Sequence, residues 1–183
     1  MPHLRCLGCG VVSYTSADGR GACPECGLPW SPRPEQVIRS TDPEHRLAAL
    51  VRMTRDLLDT DVALLTRIAD GRETACVAAG EWPEFGPLQD ASLPLEDTIC
   101  RLMLEGTVPH VIPDAGADEH LAELPMTRRL GVGAYLGVPI RSADAQLYVL
   151  CCLAREARPG IGARELRLLS GLAESVAAEL RAR

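Results

Sequence analysis

The sequence predicts an α+β fold, an antiparallel sheet with helices segregated around it, preceded by a small cysteine-rich module. Three observations carry this prediction. Two Cys-x-x-Cys pairs open the chain within "CLGCGVVSYTSADGRGACPECG", residues 6–27. The proline-dense stretch "PWSPRPEQ" at 29–36 follows as a stiff, extended linker. Beyond it, helical and strand-like periodicities come in the order helix, hairpin, helix, strand, short helices, strand pair, long helix. At 183 residues and 46% hydrophobic content, the chain has room for one ordinary domain and an appendage. The boundaries fall as a module at 1–30, a linker at 31–42 and a main domain at 43–183.

The first helix is expected in "STDPEHRLAALVRMTRDLLDT" (40–60), with caps at Ser40 to Asp42, Pro43 in the first turn, and Leu47, Leu50, Thr54 and Leu57 spaced by three and four. "DVALLTRIAD" (61–70) and "TACVAAGEW" (74–82) read as a β-hairpin with "GRE" as its turn. "EDTICRLMLEG" (96–106) has an acidic start and a terminal Gly, which predicts a short helix. "VPHVIPD" (108–114) reads as a strand cut short by Pro113, and "DEHLAELPMTRRLG" (118–131) as short helical turns broken at Pro125. Two apolar strands follow at 133–142 and 146–156. In the second, Leu147, Val149, Cys151 and Leu153 share one face while Tyr148, Leu150, Cys152 and Ala154 share the other. Both faces are apolar, so this strand is expected at the centre of the sheet, covered on both sides. A helix at about 162–182, with Leu166, Leu169, Ala173, Val176 and Leu180 in register, closes the chain.

Charge and cysteine usage narrow the class. All 19 basic residues are arginine, and 25 acidic residues bring the net charge to −6. Residues 1–40 carry Arg5, Arg20, Arg33 and Arg39 against Asp18, Glu25 and Glu35, a local charge of only +1. Phosphate binding needs clustered positive charge, which argues against a large nucleic-acid footprint. The N-terminus lacks an apolar signal region and the longest apolar run, "GVGAYLGVPI", covers ten residues, so no membrane span is expected. Four cysteines sit in metal-type pairs, and Cys76, Cys100, Cys151 and Cys152 fall within apolar segments. Cytoplasmic thiols fit this pattern better than a secreted disulfide framework.

Cys6, Cys9, Cys23 and Cys26 are the expected ligands of one structural Zn2+. A Cys-x-x-Cys turn aims both sulfurs at one point, and Gly10 and Gly27 after each pair permit the tight backbone. Two such knuckles close a four-sulfur tetrahedron with Zn–S bonds of about 2.3 Å, leaving no open position. Zinc is favoured over iron because nothing else in the sequence suggests electron transfer. A segment this short with so few large apolar residues needs a metal in place of a core. It resembles a zinc ribbon, or a shortened rubredoxin-like knuckle pair, which implies a docking surface for a partner protein.

From about residue 43 to 183, "LPLEDTICRLMLEG", "VPHVIPDAGADEHLAELPMTRRLGVGAYLGVPI" and "LYVLCCLAREARPGIGARELRLLSGLAESVAAEL" together resemble the GAF domain of bacterial signalling proteins. The resemblance implies a six-stranded antiparallel sheet flooring a ligand pocket, with the segment at about 96–131 as its roof. It also implies a small-molecule ligand drawn from a broad class: cyclic nucleotides, bilins, haem or metabolites. The matching pocket positions are Cys100 and Met103 on the short helix, His110 and Asp114 around the next strand, and Tyr135 and Cys152 on the sheet. Cys100 is the most chemically specific of these. Glu96 and Asp97 would raise its pKa, whereas the helix N-terminus and Arg101 would lower it.

The expectation is therefore a non-enzymatic sensory or regulatory protein that binds a small molecule or reports redox state, with a zinc ribbon for protein contact. Seams on the helices at 43–59 and 162–182 predict a homodimer, as GAF domains commonly pair through terminal helices. An enzymatic alternative is a GAF-fold thiol oxidoreductase resembling free methionine sulfoxide reductase. The roof segment at 118–131 contains no Cys to serve as its nucleophile. Bilin attachment fits poorly, since Cys100 precedes Arg101 and Cys152 precedes Leu153 where the Cys-His pair of those domains would stand. A nucleic-acid-binding zinc-ribbon regulator is the third alternative.

Overall fold

A two-residue turn sets the register of the sheet. Asp70 and Gly71 both take left-handed backbone, with φ of 51° and 69°. Such a turn matches the right-handed twist of paired strands. The computed structural model describes residues 3–5, 12–14 and 43–181. Cys6, Cys9, Cys23 and Cys26 and the linker at 31–42 lie outside the described residues. The chain divides into two units, Met1–Arg46 and Leu47–Arg183. In the first, β1 (His3–Arg5) and β2 (Val12–Tyr14) pair antiparallel, His3 opposite Tyr14 and Arg5 opposite Val12.

From residue 43 the chain runs through α1 (Pro43–Leu58), β3 (Val62–Ala69), β4 (Arg72–Gly80), β5 (Ser92–Pro94), α2 (Ile99–Leu104), β6 (Val111–Ile112), α3 (Pro125–Leu130), β7 (Ala134–Arg141), β8 (Leu147–Ala154) and α4 (Ala163–Arg181). The strands form one antiparallel six-stranded sheet in the order β5-β4-β3-β8-β7-β6. This is the expected α+β architecture, with β8 near its centre. Three details differ from the sequence reading. The turn at Asp70 and Gly71 is one residue earlier and shorter than "GRE", so Arg72 and Glu73 belong to β4. Thr98, not an acidic residue, caps α2, its hydroxyl accepting from the Arg101 amide at 3.4 Å. Pro125 begins α3 instead of breaking a helix, because a first-turn proline has no amide to lose.

Alternation along the strands sends side chains to two separate cores. On one face, Ala63, Leu65, Leu136, Leu150 and Cys152 meet Leu47, Leu50, Val51 and Leu58 of α1 and Leu169, Leu172, Ala173 and Val176 of α4. On the other, Leu64, Ala75, Tyr135, Val149 and Cys151 meet Ile99, Cys100, Leu102 and Met103 of α2 and the chain around Leu121 and Met126. The apolar stripes of both long helices thus cover their own sheet. Leu57, expected in the α1 stripe, is 46% exposed and Leu58 takes the buried place.

Candidate functional site

The face beneath α2 carries polar chemistry as well as packing. Glu73 enters the core from β4, 7% exposed, because the short turn puts it in the strand register of Ala75. Thr98 starts α2 so that Cys100 lies in its first turn, where the side chain points down to the sheet, fully buried. Cys151 comes from β8 and Tyr135 from β7, both on this face. The Tyr135 ring lies back over Gly137, whose missing Cβ would fall 2.0 Å from the hydroxyl oxygen. Only glycine leaves room for that ring. Its hydroxyl then reaches Cys100 Sγ at 3.2 Å. The ligating atoms of Glu73, Cys100 and Cys151 all lie within 4.8 Å of one another.

Electrostatics in this cluster favour a neutral Cys100 thiol. The hydrogen bond with Cys151, burial and the charge of Glu73 push the Cys100 thiol well above its ordinary range, outweighing the Tyr135 hydrogen bond, which acts the other way. Burial and the two thiols raise the Tyr135 phenol as well. Arg101, expected to lower the Cys100 pKa, turns away to an ion pair with Glu105 at 2.7 Å. One oxygen of Glu73, Oε2, is buried without a hydrogen-bond partner. Buried polar groups are nearly always paired, and among the described residues only the Thr127 hydroxyl shares this lack.

Beside the cluster, Glu73 also lines a cavity of about 40 Å³, space for about three waters. Val62, Leu64, Thr66 and Ala75 form its floor on the sheet, Trp82, Phe85, Leu88 and Leu93 one wall, and Met126, Leu130 and Val132 the other. Among the described residues, no basic side chain lines it. The wall is tied down: Trp82 Nε1 donates to the Leu130 carbonyl at 2.8 Å, and the Arg155 guanidinium stands 5.1 Å from the Trp82 ring centre.

The predicted pocket residues divide. Cys100, Met103 and Tyr135 are packed together in the core under α2, but none lines the cavity. His110 and Asp114 are exposed: His110 Nδ1 meets the Gly137 carbonyl at 2.8 Å, and Asp114 Oδ1 accepts from the amides of Gly116 and Ala117. Cys152 faces the α1 and α4 core on the opposite side, where burial pushes its thiol far up. Adjacent strand residues point opposite ways, so Cys151, not Cys152, stands with Cys100. Sequence reasoning missed Glu73, assigned to a turn, and the wall at 82–93. The signal that could have found Glu73 is the Asp-Gly pair at 70–71, which marks a two-residue turn.

A small cavity between an antiparallel sheet and short helices, in this strand order, calls for comparison with known folds. A model of the GAF domain matches residues 42–180. The chain belongs to the GAF domain family. No curated protein matches the sequence. Among solved structures, a far-red cyanobacteriochrome photoreceptor is similar at 19% identity and a TM-score of 0.61, over 81% of this chain and 91% of that one. The GAF domain of an Acinetobacter phosphoenolpyruvate-protein phosphotransferase is similar at 18% identity and a TM-score of 0.62, covering 80% and 87%. The chromophore-binding domain of a Stigmatella aurantiaca bacteriophytochrome gives 14% and 0.62, and the match spans 57% of that chain. At these identities the likeness concerns the GAF fold. Among the described residues, no helix is long and apolar enough to cross a membrane.

Proposed function

We propose that this GAF domain is a non-enzymatic sensory module that takes a small molecule in the cavity between the sheet and the walls at 82–93 and 125–132. The observation that carries the reading is a largely apolar cavity with one buried carboxylate, Glu73, and one hydroxyl, Thr66, in its lining. Photoreceptors are among the structures with this fold, but their chromophore is not carried over, because Cys100 and Cys152 both lie outside the cavity lining. The walls are built from short elements and connecting chain, the class of structure that local opening draws on, so occupancy can shift them. Native mass spectrometry of the full chain tests this: a small-molecule adduct is expected on the wild type and lost in Ala75→Phe, which fills the floor. A wild-type chain that carries no adduct, or a variant that keeps the same adduct, rejects the reading.

The same proposal gives the N-terminal module a structural zinc on Cys6, Cys9, Cys23 and Cys26 and a role in holding a partner protein. What supports it is the spacing, together with the pairing of β1 and β2, which bracket Cys6 and Cys9 in sequence. Homodimer formation belongs to the proposal too. Since the helical stripes are taken up by the sheet, pairing would use Leu57 and Leu168, large apolar side chains that stand exposed among the described residues. A thiol oxidoreductase draws some support from the approach of Cys100 to Cys151. Full burial of both thiols, and the raised pKa of Cys100, oppose it, because attack requires an accessible thiolate.

A further inference from the structure

We infer that Glu73, Cys100 and Cys151 form a binding site for a thiophilic divalent cation, zinc before others, built across β4, α2 and β8. Three separate elements bring two sulfurs and a carboxylate to within 4.8 Å of one another, all buried. In a tetrahedral zinc site, bonds of about 2.3 Å to sulfur and about 2.1 Å to oxygen set neighbouring donors roughly 3.5 to 3.8 Å apart. Each pair of donors therefore has to close by about 1 Å at most to reach those separations.

The independent pointer is the orphaned Oε2 of Glu73, more than nine-tenths buried and without a partner. A cation supplies the missing partner. Among the described residues, no arginine lines the cavity on that side to do so instead. Two sulfurs beside one oxygen select a borderline-soft ion over magnesium or calcium, which prefer oxygen shells. Tyr135, held 3.2 Å from Cys100 Sγ by the space over Gly137, is placed to donate to the thiolate and orient it. On binding, each thiol releases its proton to solvent and the two sulfurs and the carboxylate bond to the ion. Three protein donors leave a fourth position, and because Glu73 also lines the cavity, that position is reachable from it. The site differs from the N-terminal cysteine cluster and needs no organic ligand, so it goes beyond the reading above.

The test is a Co2+ titration of the full chain, anaerobic and thiol-reduced, read by thiolate-to-cobalt absorption and native mass spectrometry. Wild type is compared with Glu73→Gln, Cys151→Ala and Cys23→Ser. Glu73→Gln and Cys151→Ala are each expected to bind one equivalent fewer than wild type, or to hold it at least tenfold more weakly. Cys23→Ser is expected to leave that equivalent in place. Glu73→Gln is near-isosteric, and unchanged circular dichroism and melting in chelator verify its fold if Cys151→Ala fails to fold. Equal binding by wild type and Glu73→Gln overturns the inference, as does a Cys100–Cys151 disulfide found under these reducing conditions. Loss of the small-molecule adduct alone rejects the cavity reading, and loss of the cobalt difference alone rejects this one.

Discussion

The two faces of the sheet have been built by different rules. The face under α1 and α4 is covered by helices of 16 and 19 residues, and its polar inclusions are satisfied locally. Thr54, fully buried, donates its hydroxyl to the Leu50 carbonyl at 2.8 Å. The face under α2 is covered by two six-residue helices and connecting chain, and it holds a carboxylate with one unpartnered oxygen, two thiols, a phenol and a cavity. Long amphipathic helices make a sealed layer because each presents one continuous apolar stripe to several strands. Short elements leave gaps, and the gaps are where chemistry is possible. Stability is thus expected to reside on the first face and binding on the second.

The largest effect is expected where the comparison is starkest. Leu169→Ala opens a hole in the α4 face and should destabilise by about 3 kcal/mol, with no change in cobalt stoichiometry or adduct. Chemical denaturation measures the first, and an equal loss of binding would mean that the faces are not separable. Gly137→Ala acts on the other face. Its Cβ would meet the Tyr135 hydroxyl at 2.0 Å and Cζ at 2.6 Å, so the ring must swing out of its place. A loss of about 2 kcal/mol is expected. Tyr135→Leu in the same chain should recover part of it, because the clash is with the ring; additive losses would place the strain elsewhere.

The same contrast explains what was legible in the sequence. The six strands' main members and both long helices could be read because the stripes of α1 and α4 and the two-sided run of β8 are periodic over many residues. The site could not be read that way, because its residues obey no common period. Glu73 looked like a turn residue until the Asp70-Gly71 turn closed one position early. Cys151 looked like packing because nothing in β8 distinguishes it from Cys152. Only the placement of α2 over the same face gives it a partner. The wall at 82–93 has no periodicity at all, and its position depends on tertiary contacts such as Trp82 to Leu130. The family resemblance points to Tyr135 and Cys100, but their approach rests on Gly137, two residues away from the tyrosine.

A smaller effect probes the wall itself. Trp82→Phe removes the hydrogen bond to the Leu130 carbonyl and weakens the stacking under Arg155, for an expected loss of about 1.5 kcal/mol. Faster hydrogen exchange confined to 82–93 and 125–132 would locate the loss in the wall; uniform change across the sheet would not.

The smallest change has the opposite sign and divides the faces most sharply. Glu73→Met keeps the length of the side chain but deletes the buried oxygen that has no partner. Replacing an unsatisfied buried polar group by an apolar one of similar shape removes its desolvation penalty. In chelator, the variant should therefore be more stable than wild type by about 1 kcal/mol. Thr54→Val on the other face supplies the control, since its hydroxyl already has a partner and little gain is expected there. Adding Zn2+ should narrow or reverse the Glu73→Met advantage, because a cation bound only by the folded wild type stabilises it by mass action. Thermal melts of both variants with and without Zn2+ decide it. A Glu73→Met chain that is less stable than wild type even in chelator would mean that the carboxylate is satisfied within the fold, and the two faces would then follow the same rule.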